Sequence, residues 1–144
     1  MADTTLKSRK PRIAVLEKDF ESLTLLANQM LDRMPDVAED LLAELDRARI
    51  VDQRNLKSDT VAMGRQVTFR RDAEPERTIQ LVYPAEADIN AGRISILTPV
   101  GTALLGLKEG QSITWNARDG RQHIFTVLAV STPAPQAVEP DAVA

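Results

Sequence analysis

Apolar positions in the first part of the chain recur at intervals of three and four residues, which is the period of an amphipathic helix. The stripe runs through Phe20, Leu23, Ala27, Met30 and Met34, and Leu26 and Leu31 widen it. At a rise of about 1.5 Å per residue, a helix from residue 16 to residue 34 would span about 27 Å. The pattern predicts one long helix that buries a single face.

A second helical pattern follows the interruption MPDVAED. Pro35 disfavours a helical conformation at Met34, and Asp36 with Glu39 has the spacing of a capping box with Asp36 as the N-cap. The helix that follows is predicted to turn inward Val37 or Ala38, Leu41, Leu45 and Ala48. Because the break is short, the two helices are expected to pack as an antiparallel hairpin.

From about residue 61 the apolar period changes from helical to alternating. Val67 and Phe69 share one face of a strand, and the run through Ile79, Leu81 and Tyr83 predicts a second strand paired with it. Three more strands are predicted at 93–97, 112–116 and 123–130, with Gly92 as a turn residue and Asp119-Gly120 as a tight hairpin turn. The body is therefore predicted to contain about five strands.

One short helix is predicted between the third and fourth of these strands. Thr98 supplies an N-cap hydroxyl, and Pro99 suits the first helical position because its missing N–H costs no hydrogen bond there. Gly106 suits the left-handed residue that ends a helix. Helices segregated from strands indicate the α+β class rather than α/β.

These patterns divide the chain into five segments. We expect a flexible tail at 1–13, a helical hairpin at 14–50, a linker at 51–60 and a β-rich body at 61–131. The remaining segment, 132–144, consists mainly of proline, alanine and acidic residues, a composition typical of disorder.

Composition excludes several classes of function. Hydrophobic residues make up 43% of the 144 residues, so the chain can form a core, and the net charge of −3 argues against direct nucleic-acid binding. The absence of cysteine excludes disulfides, thiol catalysis and zinc–thiolate sites. No signal-peptide pattern and no run of about 20 apolar residues is present. We therefore expect a soluble, cytoplasmic protein that does not bind membranes.

Residues able to carry catalysis are scarce. The single histidine, His123, lies beside a predicted turn without an evident partner, and the glycines are too scattered to form a phosphate-binding loop. The alternating charges of 43–49 include Glu44 and Arg47 at i+3 spacing, which favours a solvated helix face with weak ion pairs. We expect no catalytic residues, no cofactor and no metal, and so no enzyme activity.

Four acidic residues surround the tip of the predicted hairpin: Asp32, Asp36, Glu39 and Asp40. Projecting carboxylates of this kind are able to bind a hard cation such as Mg²⁺. Capping and the helix dipole explain three of them without any ligand, because acidic side chains are favourable near a helix N-terminus. The capping interpretation is the stronger one, and both remain open.

The sequence ISILTPVGTALLGLKEGQSITWNARDGRQHIFTVLAV, residues 94–130, resembles the C-terminal domain of the Gre transcript-cleavage factors. AELDRARIV at 43–51, and TVAMGRQVTF followed by LVYPA between 60 and 85, narrow the resemblance to the Rnk family, the Gre-like regulators of nucleoside diphosphate kinase. The resemblance extends from about residue 17 to residue 130, and the combined order of the motifs is its specific feature.

The resemblance implies an FKBP-like antiparallel β domain, a short coiled-coil hairpin and a partner, bacterial RNA polymerase, bound near its secondary channel. By the same resemblance, Ser95 and Pro99 match the segment with which Gre factors dock, with Thr98 and Pro99 the expected contacts. Leu97 stands where Gre factors commonly carry a polar residue. The link to nucleoside diphosphate kinase is likewise implied by the family alone.

The resemblance also implies that this hairpin has about half the length of the Gre hairpin, whose tip acids reach the polymerase active centre. We therefore expect a monomeric regulator that competes with Gre-type factors without stimulating transcript cleavage. Two alternatives are an FKBP-like prolyl isomerase and a generic protein-interaction module. The few aromatic residues of the body argue against the aromatic-lined pocket of an isomerase.

Overall fold

The computed structural model describes residues 12–116 and 120–132. Most of the predicted N-terminal tail, the C-terminal tail from residue 133 onward and Asp119 of the predicted tight turn lie outside these ranges. Ile13, which we assigned to the tail, is only 2% exposed and belongs to the core. Gly120 lies inside the described ranges and has the positive φ of a turn residue.

The two N-terminal helices form the predicted antiparallel pair, but their ends differ from the prediction. Helix α1 spans Glu17–Met30 and helix α2 spans Pro35–Asp46. Because Pro35 occupies the first helical position, Met34 becomes the N-cap and makes no side-chain capping bond. The predicted capping box of Asp36 and Glu39 is therefore wrong. At about 1.5 Å per residue α1 is about 21 Å long, shorter than the expected 27 Å.

A two-stranded parallel sheet at the base of the helical pair was not predicted. Strand β1 (Ala14–Leu16) precedes α1 directly, and strand β2 (Arg49–Val51) follows α2. Their register pairs Val15 with Ile50. Three-residue strands next to helices are too short to establish an alternating pattern, so the apolar period gave no separate signal for them.

The body contains a five-stranded sheet, which confirms the α+β class and the number of strands. Its strands are β3 (Gln66–Arg71), β4 (Arg77–Val82), β5 (Arg93–Ser95), β6 (Ser112–Asn116) and β7 (Gln122–Ser131). The order is β5-β4-β3-β7-β6, so the long strand β7 lies inside the sheet. The expectation of a wholly antiparallel sheet is wrong, because β5 pairs with β4 in parallel.

The parallel pair arises from the connection between β4 and β5. Two single 3-10 turns, Pro84–Glu86 and Ile89–Ala91, lie in this connection, which brings Arg93 beside Gln80. Gly92 then turns with φ 77°, as predicted for that residue, and starts β5 in the same direction as β4. A tight hairpin turn would have reversed the direction instead.

The short helix α3 spans Pro99–Leu104 and begins as predicted at Thr98 and Pro99. One continuous hydrophobic core joins the helices to the sheet. It contains Leu23 and Ala27 of α1, Leu41 and Leu45 of α2 and, from the body, Val67, Phe69, Ile79, Leu81, Leu104 and Phe125 among others. The helical pair is thus packed into the same core as the sheet along its base.

Candidate functional site

The predicted docking segment forms a compact turn between β5 and α3. The Thr98 hydroxyl donates to the carbonyl oxygen of Ser95 at 2.8 Å and accepts from the backbone N–H of Gly101 at 3.0 Å. The Ser95 hydroxyl accepts from the backbone N–H of Leu97 at 2.9 Å. Both hydroxyls are therefore already engaged within the turn, where they fix the backbone around Pro99.

Glycine at position 101 allows the short helix to pack closely against the end of β5. A Cβ atom at Gly101 would lie 2.6 Å from the carbonyl oxygen of Ser95 and 3.0 Å from Cα of Ile96. Since real Cβ atoms essentially never approach this closely, any larger residue would push the turn away from the sheet. The position of Pro99 on the surface thus depends on Gly101.

The segment has one well-exposed member. Pro99 is exposed, whereas Ser95 and Thr98 are half-buried. Leu97 is only 6% exposed and points into the core. On the other side of the turn, Ala103 and Leu104 are buried. The segment therefore presents an exposed proline at the start of a helix. The Ser95 and Thr98 hydroxyls do not project from this surface but hold the backbone of the turn.

The tip acids lie around the turn that joins α1 to α2. Asp32, Asp36 and Glu39 are exposed, and Asp40 is half-buried. Within residues 12–116 and 120–132, no group of three or more acidic or histidine side chains is arranged to hold a metal ion. Asp36 lies in the first turn of α2, where the helix dipole favours a negative charge.

The base of the helical pair is joined to the body through Gly106. The backbone N–H of Ala14 donates to the carbonyl oxygen of Gly106 at 3.3 Å, and a Cβ atom at Gly106 would lie 2.5 Å from Cβ of Ile13. Gly106 also has φ 82°, a left-handed conformation that glycine adopts without strain. One glycine thus ends α3 and leaves room for the chain entering β1.

A hydrogen bond between α1 and the end of β4 makes a second connection. The Tyr83 hydroxyl donates to Oδ1 of Asp19 at 3.0 Å, across 64 positions of sequence. Burial is the main cause that raises the pKa of Asp19, and burial together with the negative charge of Asp19 raises the pKa of Tyr83 to about 12. Asp19 is 8% exposed, which is unusual for a carboxylate.

Sequence reasoning did not single out Asp19, although a signal was present. Asp19 precedes Leu23 and Ala27 by four and eight residues, so it lies on the apolar stripe of α1. When the apolar face of a helix packs against the core, an acidic residue on that face is buried with it. Its carboxylate then needs a hydrogen-bond donor, because buried polar groups are hydrogen-bonded. The donor, Tyr83, lies too far away in sequence for any local pattern to identify.

The base of α2 holds a second buried acid, which corrects the prediction of a solvated face. Glu44 is 1% exposed and is paired with Arg47, whose Nη2 lies 2.6 Å from Oε1 of Glu44. The predicted i+3 pair is therefore confirmed, but it faces the interior. The charge pattern of 43–49 does not reveal this, because alternating charges look the same on a solvated face and at the edge of a core.

The single histidine has a structural partner. Nδ1 of His123 lies 2.8 Å from Oδ2 of Asp72, and Oδ1 of Asp72 accepts from the backbone N–H of Ile124 at 2.8 Å. The hydrogen bond from His123 is the main cause that lowers the pKa of Asp72. The pair joins the β3–β4 turn to β7, and among the described residues it belongs to no group of three or more histidine or acidic side chains that could hold a metal ion.

Two protein families together match nearly all of the described residues. Residues 56–132 match the family described as transcription elongation factor, GreA/GreB, C-terminal, and residues 11–51 match the family described as Rnk N-terminus. The regulator of nucleoside diphosphate kinase from Escherichia coli strain K12 is 37% identical over 112 residues, which are 77% of this chain and 82% of that protein.

Two further similarities concern Gre proteins. The transcription elongation factor GreA of Rhizobium etli strain CIAT 652 is 40% identical over 94 residues, 65% of this chain and 57% of that factor. A solved structure, the prokaryotic transcription elongation factor GreA/GreB from Nitrosomonas europaea, has a TM-score of 0.67 at 36% identity. It covers 85% of this chain and 99% of that one. No helix in the described parts of the chain is long and apolar enough to cross a membrane.

Proposed function

Because the chain belongs to the Rnk family, in which an Rnk-type N-terminus precedes a GreA/GreB-type C-terminal domain, we propose that it binds bacterial RNA polymerase near the secondary channel. There it acts as a regulator of transcription and not as an enzyme. It occupies the site that Gre-type factors use and competes with them. It does not stimulate transcript cleavage.

Polymerase binding is inferred from the family, and the observation that carries the proposed absence of cleavage stimulation is the length of the helical pair. Helix α1 has 14 residues and α2 has 12, so the pair extends about 18 to 21 Å. By the resemblance described above, this is about half the length of a Gre hairpin. If the body docks as a Gre domain does, Asp32 and Glu39 at the tip stop short of the catalytic centre.

The docking contact proposed for the body is Pro99, held by Ser95 and Thr98. The exposed position of Pro99 at a capped helix start supports this assignment, because a rigid apolar projection loses little conformational entropy on binding. The two hydroxyls act through the backbone: they hold the turn, and Pro99 contacts the partner.

Measuring the binding of this protein to core RNA polymerase tests the proposal. The chain contains no cysteine, so a single cysteine introduced at the exposed position Thr78 gives one site for a fluorescent label. We expect saturable binding that unlabelled GreA reverses. The variant Pro99→Glu should weaken binding at least about tenfold, because a charge replaces the apolar contact. The variant should still fold, because a negative charge is favourable at a helix start. Pro75→Glu, at an exposed proline in the β3–β4 turn, is the matched control and should bind normally.

Thr98 separates the structural role from a contact role. Thr98→Ser keeps both hydrogen bonds of the turn and should keep binding, whereas Thr98→Ala loses the cap, at a cost of about 1 kcal/mol of stability, and should bind more weakly. Absence of any affinity for the polymerase would refute the proposed function. Normal binding by Pro99→Glu would refute only the assigned contact.

A further inference from the structure

A groove runs along the junction between α1 and the chain that follows β4. Its main part has a volume of about 650 Å³ and an adjoining part about 460 Å³, and both include Lys18, Asp19 and Tyr83. The main part is completed by Ser22, Leu26, Pro84 and Ala85, so its walls are largely apolar. The Asp19–Tyr83 hydrogen bond lies in the wall shared by the two parts.

The carboxylate of Asp19 has few partners for a buried charge. Among the described residues, the Tyr83 hydroxyl is the one side chain that donates a hydrogen bond to it, through Oδ1. A carboxylate has about four acceptor positions, so Oδ2 has capacity for donors from outside the chain. The neighbouring Lys18 forms no ion pair with Asp19 in the described structure, although its positive charge acts to lower the pKa of Asp19 and so offsets part of the negative charge.

We propose that this groove binds an arginine side chain of a protein partner. The guanidinium supplies planar, charge-assisted donors for Oδ2 of Asp19, and its flat face stacks on the ring of Tyr83. The aliphatic stem of the arginine packs against Leu26 and Pro84. Arginine suits the site better than lysine, because its charge is spread over a plane and is more weakly hydrated, which lowers the cost of entering an apolar groove.

The local electrostatics at Asp19 favour a cationic ligand, although Lys18 also lines the groove. Burial raises the pKa of Asp19 by more than the hydrogen bond from Tyr83 and the charge of Lys18 lower it, so these two groups compensate its negative charge only in part. A cation bound at Oδ2 would remove that deficit and lower the pKa again. The tip acids attract cations without such selectivity, because they are exposed and lack an apolar wall.

Titration of the ¹⁵N-labelled full chain with the peptide acetyl-Gly-Arg-Gly-amide tests the inference. We expect amide shifts centred on α1 near Asp19 and on the segment after Tyr83. The same peptide with citrulline, a neutral analogue of the same shape, should bind at least about tenfold more weakly. So should the arginine peptide with Asp19→Asn, a variant that keeps the acceptor for Tyr83, because a charge-assisted bond contributes about 1.5 kcal/mol or more.

Three results would overturn the inference: equal affinity for the citrulline peptide, unchanged binding by Asp19→Asn, or shifts confined to the hairpin tip. The lysine peptide should bind more weakly than the arginine peptide, and equal binding would contradict the stacking on Tyr83. No polymerase is present in this titration, so its outcome does not depend on the function proposed above.

Discussion

The two ends of the helical pair use acidic residues in opposite ways. At the tip, Asp32 and Glu39 are exposed on a short turn, whereas at the base Asp19 and Glu44 are buried and bonded to Tyr83 and Arg47. Carboxylate side chains therefore have different roles at the two ends of the helical pair. The tip presents charge to solvent, and the base uses charge to fix the direction of the helices.

This difference bears on how the protein acts. A buried acid with one specific donor ties α1 to the body, and the close contact at Gly106 ties β1 to the end of α3. The direction and reach of the tip are then set by the base. Changes at the base should affect stability strongly, and changes at the tip should affect it little.

The largest effect is expected at the junction glycine. Gly106→Ala places a Cβ against Ile13 and forces alanine into a left-handed conformation, which should lower the free energy of unfolding by about 3 kcal/mol. Gly64→Ala is the matched control: its φ is 86° but nothing lies within 4 Å of the added atom, so it should cost about 1 kcal/mol. Urea denaturation of both variants measures the difference. Equal costs would show that the junction is not tightly packed.

The second effect compares two acidic residues of α2, one at the base of the helical pair and one near its tip. Glu44→Ala removes the buried carboxylate of the Glu44–Arg47 ion pair and should cost about 2 kcal/mol, less than the loss of a fully buried pair because Arg47 is partly exposed. Glu39→Ala removes an exposed carboxylate and should change stability by less than about 0.5 kcal/mol. Thermal unfolding at one pH decides the matter, and similar losses would contradict the contrast between the two ends.

The smallest effect concerns Asp19 and Tyr83. Tyr83→Phe removes the hydrogen bond to Asp19 and should cost about 1 kcal/mol, while the same change in an Asp19→Asn background should cost less. Chemical denaturation of the four proteins forms a double-mutant cycle. A coupling energy near zero would mean that the bond does not tie α1 to the body.

The Asp19 pair also predicts a pH dependence. Because the folded state raises the pKa of Asp19 above its ordinary value of 3.8, the folded state binds this proton more tightly than the unfolded state. The contribution of Asp19 to stability is therefore most favourable below pH 3.8 and declines as pH rises through the raised pKa. Asp19→Asn lacks this decline. The free energies of unfolding of the natural chain and of Asp19→Asn, measured from pH 3 to pH 7, should differ increasingly as the pH rises. Parallel curves would contradict the assignment.

Local patterns predicted much of this fold because the decisive signals were close together in sequence. Thr98, Pro99 and Gly106 start and end α3 as expected, since caps act within a few residues. Alternation placed Val67 and Phe69 in the core. The error at α2 was also local: Pro35 is able to occupy the first helical position itself, which displaced the expected cap at Asp36.

The base of the hairpin could not be predicted in the same way. The β1–β2 pairing joins residues about 35 positions apart, and Tyr83 meets Asp19 across a longer span. Such contacts follow from the packing of the whole chain. The burial of Glu44 has the same origin, because its neighbours in sequence are equally compatible with a solvated face.

In the proposed function, the tip of the helical pair stops short of the polymerase catalytic centre. The most direct test of this claim replaces the catalytic Mg²⁺ of the polymerase with Fe²⁺, which generates hydroxyl radicals that cut nearby protein backbone. With this protein bound, we predict no more cutting at residues 31–36 than at residues 72–76 of the body, while a Gre factor in parallel is cut at its tip. Cutting concentrated at residues 31–36 would contradict the account.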